Sequence, residues 1–509
     1  MMPIIRAARA AMTFPVSGLI RVDGESGDPL SRQIYRQMRS AILDGRIPAG
    51  VRLPSSRQLS ATLGLSRTTV TAALDQLTLE GFVDARVGAG TFVAETAQAL
   101  PTIPAEKVGR DDNPGPRAAR LSRQGVALST FMRRESGTGP AFSPGVPDVR
   151  LFPNDLWGRL LRAGARRPDR GQSGYDAYDG LPALKQAIVD HLAETRGVKA
   201  DPGRVLVLSS AQAALDLTAR MLLDEGDESA VENPVYTGAL ISLRGVGAKV
   251  TPVPVDGEGI VVDVLAGANP RLIYVTPSHQ YPLGMTMSLE RRLALLEAAS
   301  QAGAYVIEDD YDSEFHYRGR PIPALAGLDG GGRVIYLGTF SKTMMPAIRT
   351  AFLILPDELV EPFRKAQRNT GKVPAFAVQS ALATFLSEGH LRAHMRRVGA
   401  IYRGRRDLLV AAIECHCPQL TAEPVPDGGM QLAVRFRDPA VDDVAIARRL
   451  IARGIDCGAL SAFHIGEERR SGLVLGFAMP DDEEIVAGVQ VIAEEIAATP
   501  SMAKVPAVS

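Results

Sequence analysis

The sequence predicts a multidomain chain: a small α+β head near the amino end, then a large α/β body built on a mainly parallel central sheet. Three observations carry that expectation. The 509 residues exceed what one hydrophobic core usually organises. Residues 28–94 run through three helical periodicities and end in two glycine-bounded strands. Beyond residue 140, short apolar runs alternate with helix-length segments, which is the pattern of a parallel sheet covered on both faces.

In the head, Ile34, Met38 and Ile42 recur every fourth residue and form one apolar stripe, with Gly45 placed to stop the helix. Pro48, Gly50 and Pro54 punctuate the turn that follows. A second helix runs from about Ser55 through Leu59 and Leu63 until Gly64 breaks it. Ser66 is positioned to cap a third helix, which carries Val70, Leu74 and Leu77 inward and stops at Gly81. Residues 82–93 then alternate into two strands around Gly88 and Gly90. Helix, glycine turn, helix is the arrangement that reads DNA, and the hairpin after it is a wing.

Residues 95–139 are rich in Pro, Gly, Arg and Ala with little periodicity, so they are expected to be a linker. A flexible coil of about 40 residues spans roughly 35 Å, enough for the head to reach a neighbouring protomer. In the body, 140–498, strand candidates fall at 205–208, 272–275, 305–307, 334–337 and 352–355. Ligands of such sheets bind at the carboxyl ends of the strands.

The formal net charge is zero, so a nucleic-acid contact has to come from a local basic surface. Residues 28–94 hold eight arginines against five acidic residues, a modest excess. The three cysteines, Cys415, Cys417 and Cys457, are too few for a disulfide framework, and Cys415-His416-Cys417 lacks the spacing and ligand count of a zinc site. No metal is expected. No apolar run reaches the roughly 20 residues of a membrane span, and the stretch around Arg6 and Arg9 reads as a frayed tail without a signal-peptide core. A cytoplasmic protein is expected.

Arg67, Thr68, Thr69 and Thr71 lie off the apolar stripe of the third helix, near its amino end, where recognition helices approach base edges. Arg67 can bond a guanine edge through two N–H groups, and the threonines offer hydroxyl or methyl contacts. Arg52, Ser55, Ser56 and Arg57 precede or open the second helix, whose free N–H groups suit phosphates; they position rather than specify. Ser66 completes this face, with Arg86, Gly88 and Gly90 in the wing. From DPLSRQIYRQMRSAILDGRIPAGVRLPSSRQLSATLGLSRTTV through LDQLTLEGFVDARVGAGTFV, the head resembles the winged helix of the GntR family of bacterial regulators. A double-stranded operator is the partner which that resemblance implies.

The body places chemically loaded loops directly after predicted strands. Residues 305–308 lead into Asp309-Asp310-Tyr311, and 334–337 into Gly338-Thr339-Phe340-Ser341-Lys342. A covalently held pyridoxal 5'-phosphate (PLP) needs a lysine for its Schiff base, an acid for its ring nitrogen and anion donors for its phosphate. Lys342 is the candidate lysine, in a loop braced by Thr339 and Ser341. Asp309 is the candidate partner of the ring nitrogen, and Tyr311 would donate to the phenolic oxygen. Arg349 can clamp the phosphate through two parallel bonds. Ser210, Ala211 and Gln212 open a helix whose backbone N–H groups suit the same phosphate, and Tyr236 offers a flat face to the ring.

Together FSPGVPDVRLFPNDLW, GYDAYDGLPALKQAI, SSAQAALDL, ENPVY, TPSHQYPLG, IEDDYDSEFHYRGRP and GRVIYLGTFSKTMMPAIR resemble the fold-type-I aminotransferase superfamily. With the head, the chain resembles the MocR/GabR branch of the GntR regulators. The resemblance implies the roles just given to Lys342, Asp309, Tyr311, Arg349 and Tyr236. It also puts His279 to Tyr281 in a loop facing the cofactor. Tyr175 matches a tyrosine that reaches the phosphate across a dimer interface, so a homodimer is implied.

Two departures bear on the ligand. Val474 stands where the superfamily usually has the arginine that binds an amino acid's carboxylate, and Gly238 where GABA-responsive relatives carry a second one. Arg469, Arg470 or His464 are candidates to substitute. Ser210 replaces a usual glycine in the phosphate cup. The leading expectation is a regulator that senses a small amine or PLP itself. The alternatives are a working aminotransferase with a DNA-binding appendage, and a scaffold with a vestigial site.

Overall fold

The computed structural model describes residues 13–16, 18–86, 89–95, 121–130, 141–166, 179–319, 322–330, 332–422, 424–466 and 469–498. They fall into two compact units, Met1–Ala119 and Arg120–Ser509. Gly88 of the wing, Tyr175 and the expected tail around Arg6 and Arg9 lie outside the described residues.

In the first unit, α1 (Leu30–Leu43) buries Ile34, Met38, Ala41 and Ile42. Helix α2 (Ser56–Leu63) opens on a reciprocal capping pair between Ser55 and Gln58 and closes at Gly64, whose φ of 66° suits a residue without Cβ. Helix α3 (Arg67–Leu79) is capped by Ser66 and turns Val70, Ala73, Leu74 and Leu77 inward. Strands β1 (Val83–Arg86) and β2 (Gly90–Val93) pair antiparallel from Val83↔Val93 to Arg86↔Gly90. The unit begins upstream of the expected residue 28. The Phe14 N–H donates to the Arg52 carbonyl at 2.9 Å, and Val16 and Ile20 join the apolar core. Phe14, Leu19 and Val22 pack against it, and the short segment was not read as part of the head from its sequence.

The stretch expected as linker holds a helix, α4 (Arg123–Thr130), which lies within the second unit and packs against the helix at Thr237–Gly245. The second unit continues through α5 (Asn154–Ala165), α6 (Pro182–Thr195), β3 (Val205–Leu208), α7 (Ala211–Leu222), β4 (Glu228–Asn233), α8 (Thr237–Gly245), β5 (Lys249–Asp256), β6 (Gly259–Ile260) and β7 (Leu272–Val275). Then come α9 (Leu289–Ala302), β8 (Tyr305–Asp310), α10 (Leu325–Leu328), β9 (Val334–Thr339), β10 (Ala351–Ile354), α11 (Asp357–Thr370), α12 (Phe376–Ser387) and α13 (His390–His416). The chain ends with β11 (Leu420–Thr421), β12 (Gln431–Phe436), α14 (Asp443–Ala452), β13 (Gly458–Ala459), β14 (Gly472–Gly476) and α15 (Asp482–Ala497).

The large sheet has the order β3-β10-β9-β8-β7-β4-β5-β6. Neighbours from β9 through β5 pair in parallel; β10 runs against both β3 and β9, and β6 folds back on β5. Strands β3 and β7 are buried at every residue, so each reads as a continuous apolar run without alternation. A smaller antiparallel sheet, β11-β12-β14-β13, packs with α13, α14 and α15. Cys417 and Cys457 lie in its apolar core, while Cys415 is exposed. Among the described residues no helix is long and apolar enough to cross a membrane.

Candidate functional site

The parallel strands end together on one side of the large sheet, and the loaded residues are gathered there. On β8 the pleat turns Asp309 to one face and Glu308 and Asp310 to the other. Asp309 is 5% exposed and accepts one bond, from the Tyr274 hydroxyl at 2.7 Å. Burial pushes its carboxyl up to about 7, against the draw of that hydroxyl and of the nearby Lys342 charge.

Asp310 shows the opposite balance. Burial alone would raise it, but Arg196 at 2.8 Å and the hydroxyls of Ser278, Tyr336 and Ser313 hold it below the usual carboxylate range. Glu308 accepts the Leu325 and Ala326 N–H groups at 2.8 and 2.9 Å. These bonds fasten the end of β8 to α6, α10 and β9.

Lys342 follows β9, and its amine donates to the Gly145 carbonyl at 2.7 Å. The Tyr311 hydroxyl donates to the His279 carbonyl at 3.1 Å, and the His279 ring meets Asp312 at 2.7 Å. Tyr281 stands edge-on to Tyr236, Tyr311 and Phe463, at centroid distances of 5.4, 5.9 and 5.5 Å. Aromatic walls therefore flank the space near Tyr311.

The anion-binding groups sit at the ends of β3 and β9. Ser210 caps α7 by accepting the Ala213 N–H at 3.1 Å, and the Ala211 and Gln212 N–H groups are first-turn donors that a helix cannot satisfy itself. The serine that replaces the usual glycine thus serves as the cap. Thr339 accepts the Ser341 N–H at 3.2 Å. The pairings of Ala351 with both Leu208 and Thr339 bring Arg349 between these two strand ends. Arg349 is exposed, holds a left-handed φ of 50°, and makes no side-chain bond among the described residues. An arginine held in that region without a local partner is the kind of strain that collects at ligand sites.

This donor set fits PLP: a carboxylate for a ring nitrogen, an amine for an aldehyde, and a helix amino end with an arginine for a phosphate. A side chain at 238 would require Tyr236 and Gln212 to shift. A Cβ on Gly238 would lie 2.3 Å from the Tyr236 ring and 2.5 Å from Gln212 Oε1, whose amide is itself bonded to the Gly238 carbonyl and Ser242. Val474 is fully buried in β14 opposite Ala433 and Gly458. Arg469 and Arg470 are exposed, and Arg469 donates to the Gly466 carbonyl.

Sequence reasoning missed Tyr274, Asp312, Gly145 and Gln431 in this neighbourhood. Tyr274 and Gln431 carried a signal, each being a polar side chain inside an apolar strand. Gly145 lies in FSPGVPD, and its φ of 66° favours glycine.

On the head, Arg67 and Thr68 are exposed at the start of α3. The Thr69 hydroxyl is engaged with the Ser66 cap at 2.7 Å, and Thr71 is half-buried. Ser56 receives the Arg67 Nε at 3.4 Å, Arg57 is exposed, and Arg86 stacks over the Phe92 ring at 4.9 Å. Arg52 covers Gly90, where an added Cβ would lie 2.7 Å from its Nε.

Residues 30–93 match the bacterial regulatory proteins of the gntR family, and residues 155–492 match aminotransferase class I and II. A probable rhizopine catabolism regulatory protein, MocR, from Rhizobium meliloti is 38% identical across 96% of this chain and 98% of its own length. The HTH-type transcriptional regulator TauR of Rhodobacter capsulatus is 34% identical across 95% of this chain and 100% of its own. An archaeal alanine:glyoxylate aminotransferase superposes with a TM-score of 0.68 at 28% identity, over 74% of this chain and 97% of that one. Such a fold implies PLP binding in its family, and a GntR-type head implies DNA binding. A reading head joined to an aminotransferase-like body, with regulators of the same build matching from end to end, places the chain in the MocR/GabR-type group of GntR transcription regulators.

Proposed function

We propose that this protein is a PLP-dependent transcription regulator whose body senses a small amine or amino compound, or PLP itself, and alters operator binding by the head. The observation that carries the reading is the convergence of Lys342, Asp309, Tyr311, Arg349 and the α7 amino end at one strand edge, in a chain with an exposed Arg67–Thr68 reading face. When bound, the cofactor supplies an aldehyde that condenses reversibly with amines, and a ring that serves as an electron sink.

The chain's residues would do the rest. Asp309 holds a proton at the ring nitrogen, with Tyr274 fixing its orientation. Tyr311 donates to the phenolic oxygen, and Tyr236 lies against the ring. Arg349, Ser210, Ala211, Gln212, Thr339 and Ser341 hold the phosphate. His279, bonded to Asp312, shapes the wall facing the ring. A ligand that favours one arrangement of the body would shift the balance between states that fit and misfit two DNA half-sites. The proposed assembly is a homodimer in the cytoplasm.

The test is spectroscopic and functional. Protein incubated with PLP should absorb near the visible edge, and borohydride should fix the cofactor's mass on Lys342. Lys342→Ala should lose both signals while the body stays folded, as circular dichroism would show. Amine addition should change operator affinity without releasing keto product. Sustained multiple-turnover transamination would instead favour the enzyme reading, to which the superposition on an aminotransferase lends weight.

A further inference from the structure

The wall beside Lys342 carries a polar group with nothing to do. Gln431 opens β12, is 3% exposed, and has neither Oε1 nor Nε2 bonded among the described residues. Leaving a buried amide unmet is costly, so such a group calls for a partner. Its position is specific. A Cβ placed on Gly145 would lie 3.0 Å from Lys342 Nζ and 3.5 Å from Gln431 Oε1, so the amine and the amide border the same point. The carbonyl of the same glycine receives the Lys342 amine at 2.7 Å.

We infer that Gln431 is the specificity-determining residue of the amine site, and that it selects amines carrying an uncharged hydrogen-bonding group, a hydroxyl or an amide, near the amino carbon. The inference deepens the sensor reading and depends on it. An amide offers one acceptor and two donors. A hydroxyl or carboxamide answers both kinds at once. A carboxylate answers the donor alone and sets its charge against Oε1. No guanidinium offsets that charge where Val474 is buried among Ala433 and Gly458. Recognition by a polar site that goes unmatched with the wrong ligand is the stronger form of discrimination.

Alanine, alaninol and alaninamide share an amino carbon and differ only in the second group. Full-length protein loaded with PLP would be titrated with each, reading the visible band, the melting temperature and operator affinity. The expected result is that alaninol or alaninamide binds about tenfold or more tightly than alanine. Gln431→Met, which conserves volume, should erase that margin, chiefly by weakening alaninol and alaninamide. Gln431→Glu should weaken alanine further than alaninol.

A structural role predicts a different melting temperature. With no amine added, Gln431→Met should melt at the wild-type temperature or above, because it removes an unmet buried amide. A drop of several degrees would overturn the inference, as would equal or tighter binding of alanine by wild type. Absence of a borohydride-fixed adduct on Lys342 would remove the sensor reading itself. An intact adduct with the wrong amine preference would remove only the inference.

Discussion

Two neighbouring carboxylates on one strand, Asp309 and Asp310, are buried to the same degree and live in opposite circumstances. Asp310 has Arg196 and three hydroxyl donors, and every part of its charge is answered by the protein. Asp309 has one hydroxyl and is held up near 7 by burial. In hydrogen bonding, the same division recurs elsewhere in the body. Glu308 is satisfied by backbone N–H groups, whereas Glu232, Asp312 and Gln431 each keep at least one buried polar atom unbonded among the described residues. The satisfied groups hold the strand ends in place, and the unsatisfied ones are poised for something the protein does not itself supply.

The largest effect should come from breaking the satisfied side. Arg196 and Asp310 are both almost fully buried, so Arg196→Ala strands a charge in the interior and should destabilise the body by about 3–5 kcal/mol. Thermal or denaturant unfolding of the body reads this directly. A loss under about 1 kcal/mol would show that water or another cation reaches Asp310, and would dissolve the contrast with Asp309.

The unsatisfied side should behave in reverse. With a folded value near 7 above an unfolded value near 4, Asp309 keeps its proton more tightly in the folded state. Its contribution to stability is therefore complete below about pH 4 and is lost as pH rises through about 7, at up to about 1.4 kcal/mol per pH unit. Cofactor-free Asp309→Asn should melt at a higher temperature than wild type at pH 8 and show little difference at pH 4. The same variant should lose PLP retention. Stability measured from pH 4 to 8, with and without PLP, checks both arms; an unchanged melting curve at pH 8 would place Asp309 with the structural carboxylates.

How much of this was legible depended on whether a residue's role follows from chain-local pattern. The strand at 205–208 and the one at 272–275 were read to the residue, because a buried parallel strand is a plain apolar run. Strand β5 was not, since Pro252 and Pro254 interrupt its pattern at the sheet's edge region. The positions of Lys342, Asp309 and Arg349 were legible because each stands at a fixed offset from a strand, and the register of β10 brings the chain at Arg349 between the ends of β3 and β9. Tyr274 and Gln431 stand out as polar side chains in apolar strands, but what they face is set far away in sequence: Tyr274 reaches Asp309, and Gln431 faces a glycine from the segment before α5. The edge at Phe14–Ile20 and helix α4 were missed for the same reason, being held by tertiary contacts rather than by their own periodicity.

The head extends the contrast to a region where polar groups are cheap to satisfy. Ser66 caps α3 through the Thr69 N–H at 3.1 Å, at a surface where water can replace either partner. Ser66→Ala should therefore cost only about 1 kcal/mol, the smallest of these effects. Its consequence is local all the same, because the first turn of α3 presents Arg67 and Thr68. Loss of the cap lets that turn fray, so operator affinity should fall by about fivefold while melting of the body and PLP retention stay unchanged. Calorimetry that resolves the two units, run beside operator titration, separates the possibilities. A drop in the body's transition would mean that the head and body unfold together, and that the economy of surface capping does not apply to this helix.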